Sequence, residues 1–196
     1  MTSNRQFRFI AAAAAIAICI SLAVLAILLI RQVNQRNAVS LITARGGRIE
    51  LSTDMPTWTV HSQDAQVHIG LGNPPRRRAW MFDSAEKGCP VFVDLSQIEI
   101  DDDIAQALSA MPRLEGAFMR DATIKKHLFL KFIRDHGELR CLDLSGATLS
   151  IEDIEEGIRL SNLDYVAISA DIWKSPRTLL NRDGNECEVL ITSSTE

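Results

Sequence analysis

The chain has 196 residues, which is room for one ordinary domain, and its averages look globular, with 46% hydrophobic and 23% charged residues. Its net charge of −4 argues against the broad basic face on which general nucleic-acid binding depends. Those averages conceal a split between an apolar N-terminal run and an acidic remainder.

Residues 1–9 form a short tail with Arg5 and Arg8. From Ile10 to Ile30 there is no charged residue, proline or glycine, and only Cys19 and Ser21 are weakly polar. At 1.5 Å per residue such a run spans about 30 Å, the thickness of a bilayer hydrocarbon core. It is predicted as a single transmembrane helix, 10–30, in contact with membrane lipid. A cleaved signal peptide has a shorter core followed by small residues, whereas this run continues through Ala26–Ile30 and stops at Arg31. Basic residues nearly balance across it, with Arg5 and Arg8 on one side and Arg31, Arg36, Arg45 and Arg48 on the other. A short tail before one apolar helix reads as a signal-anchor, with the rest of the chain on the extracytoplasmic side of the cell membrane. With Arg5 and Arg8 set aside, 19 basic residues face 25 acidic ones beyond the run.

Residues 31–47 are predicted as a juxtamembrane helix, because Val33, Ala38, Leu41 and Ile42 fall on one side and Gly46-Gly47 ends it. Residues 48–90 are predicted as an N-terminal capping region. Arg48–Ser52 alternates as a strand does, and Val60, Val67 and Ile69 suggest short strands. Arg76-Arg77-Arg78 beside Trp80, Met81 and Phe82 reads as a solvated loop pairing with acidic neighbours, against a second reading as a lipid-headgroup contact.

Repetition begins at Val91. VDLSQIEI, AFMRDATI and LDLSGATL superpose, and VAISADIW is a weaker fourth copy. Leu95, Met119, Leu144 and Ile168 are separated by 24, 25 and 24 positions. Leu114, Leu139 and Leu163 sit five residues before the last three, so two registers agree. Such a period describes a strand and a helical return that cannot bury its apolar face alone and so stacks on its neighbours. Asp101-Asp102-Asp103 suits a helix N-terminus, with Ile104, Leu108 and Met111 following at helical spacing. Ser150 and Asp153 resemble a capping box before Ile154 and Ile158. The middle unit has Phe129, Phe132 and Ile133 but opens on Lys125-Lys126, the wrong sign for a helix start. Units 91–173 are followed by a C-terminal cap, 174–196. In it Pro176 to Leu180 reads as one helical turn, Asp183-Gly184 as a turn and Cys187–Thr192 as a strand.

The segment Leu139-Arg140-Cys141-Leu142-Asp143-Leu144-Ser145-Gly146-Ala147-Thr148-Leu149 resembles a leucine-rich repeat of the short bacterial kind. The lead-in through Gly46-Gly47, Arg48–Leu51 and Pro56-Thr57-Trp58 is similar to that of leucine-rich-repeat proteins of planctomycete-like bacteria. Ala122 and Ala147 stand where that repeat usually has asparagine or cysteine, and Ala117 and Met119 where it has leucine. The resemblance implies an α/β fold, a short leucine-rich-repeat solenoid of parallel strands with helical returns, preceded by a single transmembrane helix. It implies a binding scaffold and no catalytic residues.

On that expectation the outward strand residues form a concave contact face. Asp94, Phe118, Asp143 and Ala167 make one row, and Ser96, Arg120, Ser145 and Ser169 the next. Arg120 is expected between two aspartates with Phe118 exposed beside it, an anchor for a protein partner. The competing reading is an intramolecular ion network on a solvated sheet.

No catalytic set emerges. His61, His68, His127 and His136 have no metal-ligand spacing, and His127 and His136 are expected at the surface. No cofactor or metal site is expected. Cys89, Cys141 and Cys187 lack a zinc spacing and read as buried thiols. The function expected is a membrane-anchored protein-protein interaction module. The alternative is a structural or assembly component of a membrane complex that oligomerises through its anchor helix.

Overall fold

The computed structural model describes residues 3–52, 57–61, 66–70, 90–173 and 178–192. The Arg76–Arg78 cluster and Cys89 lie outside them.

Helix α1 (Ser3–Ala44) runs unbroken for 42 residues, as expected of a segment with neither proline nor glycine. The large apolar side chains from Ile16 to Val33 are exposed, while Ala38 and Ile42 are buried in the domain core. One helix is therefore long and apolar enough at its N-terminal part to cross a membrane, and its last turns belong to the folded domain. Gly46 ends it at φ +92°, and the Gly47 N–H donates to the Ile42 carbonyl at 2.9 Å, closing the helix end.

The domain is mixed α/β, with a seven-stranded, mostly parallel sheet. Its strands are β1 (Arg48–Leu51), β4 (Pro90–Asp94), β6 (Gly116–Phe118), β8 (Cys141–Asp143), β9 (Tyr165–Ser169), β10 (Leu179–Leu180) and β11 (Glu186–Thr192). They are ordered β1-β4-β6-β8-β9-β11-β10. β4, β6, β8, β9 and β11 are mutually parallel, whereas β1 and β10 pair antiparallel at the two edges. Helices α2 (Asp102–Ser109), α3 (Lys126–Asp135) and α4 (Ile151–Leu160) return the chain between parallel strands. β5 (Glu99–Ile100) and β7 (Thr123–Ile124) form a separate short parallel ladder. The hairpin β2 (Thr57–His61) and β3 (Gln66–Gly70) forms a third sheet.

The registers Asp94↔Phe118↔Asp143↔Ala167 place Leu95, Met119, Leu144 and Ile168 next to one another, one position further along. All four are fully buried, as are Leu114, Leu139 and Leu163. A third equivalence appears in the turns. Gln97, Asp121 and Gly146, again 24 and 25 positions apart, all have positive φ of 63°, 53° and 71°. β4, β6 and β8 are thus each followed by one left-handed residue, a conformation that costs a side-chain-bearing residue more than glycine.

Helix starts follow the chemistry of the first turn. Asp101 caps α2 by accepting from the Ile104 N–H, and Ser150 caps α4 by accepting from the Asp153 N–H. α3 has no side-chain cap at Lys125. Instead Lys126 reaches Asp153 and Glu156 of α4, at 2.8 and 2.9 Å, so the charge that looked misplaced binds two adjacent units together. Those hydrogen bonds, first to Asp153 and then to Glu156, raise the Lys126 pKa. At the C-terminal end Leu179-Leu180 is a strand paired with Glu186 and Cys187, not the helical turn expected. The Asp183-Gly184 turn folds the segment back, and ladder bonding to β11 outweighs its weak helical signal.

Candidate interaction surface

The strands bury Val93, Ala117, Leu142 and Val166 toward the helices and turn the alternate residues outward. That outer face is not bare. Trp58 and Val60 of the hairpin lie against Phe92, Cys141, Ala167 and Leu190, with Val67, Ile69, Phe118 and Tyr165 packed around them. Trp58 stands 6.3 Å, centroid to centroid, from both Phe118 and Tyr165. Phe92 meets Phe118 edge-on at 5.0 Å. Among the described residues the hairpin shares no ladder with the seven-stranded sheet and is seated by side-chain packing. Among the described residues the buried Trp58 Nε1–H has no hydrogen-bond acceptor.

This cover corrects the expectation for the first outward row. Phe118 is half-buried instead of exposed, Asp143 is fully buried at 0% and Ala167 is buried with it. Arg120 pairs with Asp143 and not with Asp94 among the described residues. Its guanidinium also lies 4.4 Å over the Phe118 ring, a cation–π contact. The remaining Asp143 oxygen, Oδ1, accepts from the Ser145 N–H at 3.0 Å and Oγ–H at 2.7 Å. Asp94 Oδ1 makes the same pair of bonds with Ser96, at 3.0 and 2.6 Å. Asp-Leu-Ser thus closes the strand end in two units, and Phe118-Met119-Arg120 replaces it in the unit between.

The second row stays open beyond the hairpin. Ser96, Arg120 and Ser145 are partly exposed, and the Arg120 side chain keeps 40% of its surface in solvent. Ser169 and Thr192 extend the row inward. Ser169 Oγ accepts from the Gly146 N–H, and Thr192 Oγ1 bonds Ser145 Oγ at 2.7 Å. The result is a hydroxyl-rich strip with one half-buried cation, bounded by aromatics. It is suited to hydrogen bonding and to one arginine contact.

Trp58 and Tyr165 were not legible as members of this surface. The alternation Trp58/Val60 against Val67/Ile69 was the available signal, since a hairpin with one apolar face must lay that face on something. The buried polar groups elsewhere are structural. His136 is buried, contrary to the surface position expected. Its ring nitrogens face the Phe132 carbonyl at 2.6 Å and the Leu108 carbonyl at 3.0 Å, at the ends of α3 and α2. Desolvation sets its pKa below the ordinary value, against the opposing pull of those two carbonyls. Ser109 Oγ donates to Asp135 and accepts from Lys131, both at 2.6 Å. Burial disfavours the Asp135 carboxylate, but hydrogen bonds from Lys131 and Ser109 outweigh it and hold the pKa below the usual range. That clasp ties α2 to α3. Cys141 and Cys187 are free and buried, and desolvation pushes both thiols up to about 12. No protein-family model, curated protein or solved structure matches this chain.

Proposed function

We propose that the chain is a membrane-anchored recognition module, a short leucine-rich-repeat-like stack that binds another protein through the outer face of its sheet. The observation that carries the reading is the side-by-side placement of Leu95, Met119, Leu144 and Ile168 at the C-terminal ends of successive parallel strands, each followed by a return helix or turn. Such stacking repeats the outward residues at one strand spacing, about 4.8 Å, which gives a partner a regular row of contacts. Ser96, Arg120 and Ser145 form the accessible part of that row, with Phe118 at its margin. An arginine beside aromatics is the composition enriched where binding energy concentrates. The exposed apolar part of α1 supports the anchor.

The test is a photo-crosslinking residue at Ser96 or Ser145, compared with one at Glu152 on the helical side, in native membranes. The reading predicts a discrete adduct from the sheet positions and none from Glu152. Equal adducts from both sides, or none from the sheet, would overturn it. A second reading, assembly through α1, is favoured by the apolar side chains of Ile16 to Ile30 being exposed among the described residues. Replacing Ile10–Ile30 with an unrelated membrane-spanning sequence separates the two. A recognition module keeps its adduct and an anchor-assembled component loses it.

A further inference from the structure

We infer that the domain is held over the membrane in one orientation, with the edge formed by the C-terminal ends of α2 and α3 against the lipid headgroups. The inference rests on α1 being a membrane anchor and adds to it which surface the bilayer touches. No loop separates anchor from domain. The helix passes Ile30, continues to Ala44 and contributes Ala38 and Ile42 to the core. A helix so embedded transmits its direction to the whole domain.

α2 runs antiparallel to the last turns of α1. At one end Arg45 pairs with Asp101 at 3.1 Å. At the other a shallow groove brings Asn34 and Ala110 together, with Ala38 and Ala107 between the two ends. Since α1 is leaving the membrane there, α2 heads back toward it. α3 runs parallel to α2, because Ser109 bonds Asp135 at their C-terminal ends. Lys126 and Asp153 likewise join the N-terminal ends of α3 and α4.

The helical rise sets the heights. Asn34 lies four residues past Ile30, about 6 Å above the hydrocarbon boundary. The headgroup layer on each side is about 5–8 Å thick, so the Ala110–Pro112 corner opposite Asn34 sits within it. Asp101, paired with Arg45 just past Ala44 and so ten helical residues beyond Asn34, stands about 15 Å further out. Charge agrees with this assignment. The far edge carries Asp101, Asp102, Asp103, Glu152 and Asp153 against Arg45, Lys125 and Lys126, an acidic excess that anionic headgroups repel. At the near edge Arg113 is paired with Glu138 and Arg140 with Asp164, leaving little net charge to repel. The parallel strands run opposite to their helices, so Ser96, Arg120 and Ser145 at the strand ends lie on the far, aqueous side.

The experiment uses the full chain in vesicles of phosphatidylcholine and phosphatidylglycerol, with Cys89→Ser and one reactive cysteine at a time carrying an environment-sensitive fluorophore. Cys19, exposed on α1, reports the anchor. With Cys19→Ser, the near edge is read at Pro112→Cys and Gly137→Cys. Both positions are exposed, and a Cβ at Gly137 meets no atom within 4 Å. The far edge is read at Asp102→Cys and Lys125→Cys, also exposed. Headgroup-nitroxide lipid is expected to quench the near positions severalfold more than the far ones, while acyl-chain nitroxide quenches Cys19. Equal or reversed quenching at the two edges, with Cys19 quenched, overturns the orientation and leaves the anchor standing. An unquenched Cys19 overturns the anchor and the orientation together. Two reporters per edge keep the comparison readable if one variant fails to fold.

Discussion

Arg120→Ala removes the partner of a carboxylate that has no contact with water. Asp143 is fully buried, and its two oxygens are divided between the Arg120 guanidinium and the Ser145 N–H and Oγ–H. Losing one member of a fully buried pair costs about 3–5 kcal/mol. Arg120 is 40% exposed, however, so its own charge is partly screened, and the cost is nearer that of one charge-assisted hydrogen bond, about 2 kcal/mol. The cation–π contact on Phe118 is included in that figure, since such contacts contribute only about 0.5–1 kcal/mol at exposed sites. For a domain near 150 residues this corresponds to a midpoint lowered by roughly 4–8 °C. Urea and thermal unfolding of the full chain in mild detergent, followed by far-ultraviolet circular dichroism, reads both quantities. Asp143→Asn alone and combined with Arg120→Ala completes a cycle whose coupling is expected at about 1–2 kcal/mol. A loss below about 0.5 kcal/mol for Arg120→Ala would refute the reasoning, because that is the range of a fully solvated ion pair.

Gly146→Ala forces a side chain into φ +71° and brings its Cβ within 2.0 Å of Asp121 Oδ1. The exposed Asp121 side chain can swing away, so the expected destabilisation is the left-handed backbone cost, about 1–2 kcal/mol, read by urea unfolding. Burial lowers the His136 pKa from 6.5, so the folded state binds its proton more weakly than the unfolded chain does. The neutral ring's contribution to stability is fully present above about pH 6.5 and is lost as pH falls through the lowered folded value. Unfolding midpoints measured down to pH 5 should show this slope, and His136→Gln should flatten it; an unchanged slope contradicts the assignment. Cys141 and Cys187, with thiols raised to about 12, should resist alkylation at pH 8 until the chain is denatured. Rapid alkylation of either in the folded protein would contradict the burial.

The repeat was legible because stacking imposes it. Leu95, Met119, Leu144 and Ile168 must each shield the next, and any sequence that does this carries the period. The caps Asp101 and Ser150 were legible for a similar reason, since helix N–H groups demand an acceptor within three residues. What was hidden depends on contacts distant in sequence. Phe118 looked exposed because its position is outward on the strand, and nothing local announces that Trp58, sixty residues earlier, lies over it. Lys126 looked misplaced because its partners, Asp153 and Glu156, belong to the next unit. His136 looked like a surface residue because the carbonyls that receive it close two separate helices. Leu179-Leu180 was misread because a two-residue strand has no pattern of its own.

The stacked register is tested most directly by methyl-to-methyl nuclear Overhauser contacts in protein labelled at leucine, methionine and isoleucine methyls. Neighbouring parallel strands lie about 4.8 Å apart, so Leu95–Met119, Met119–Leu144 and Leu144–Ile168 should each give a contact. Leu95–Ile168, three strand spacings or about 14 Å apart, should give none. Missing neighbour contacts, or a direct Leu95–Ile168 contact, would contradict the stack and the recognition surface derived from it.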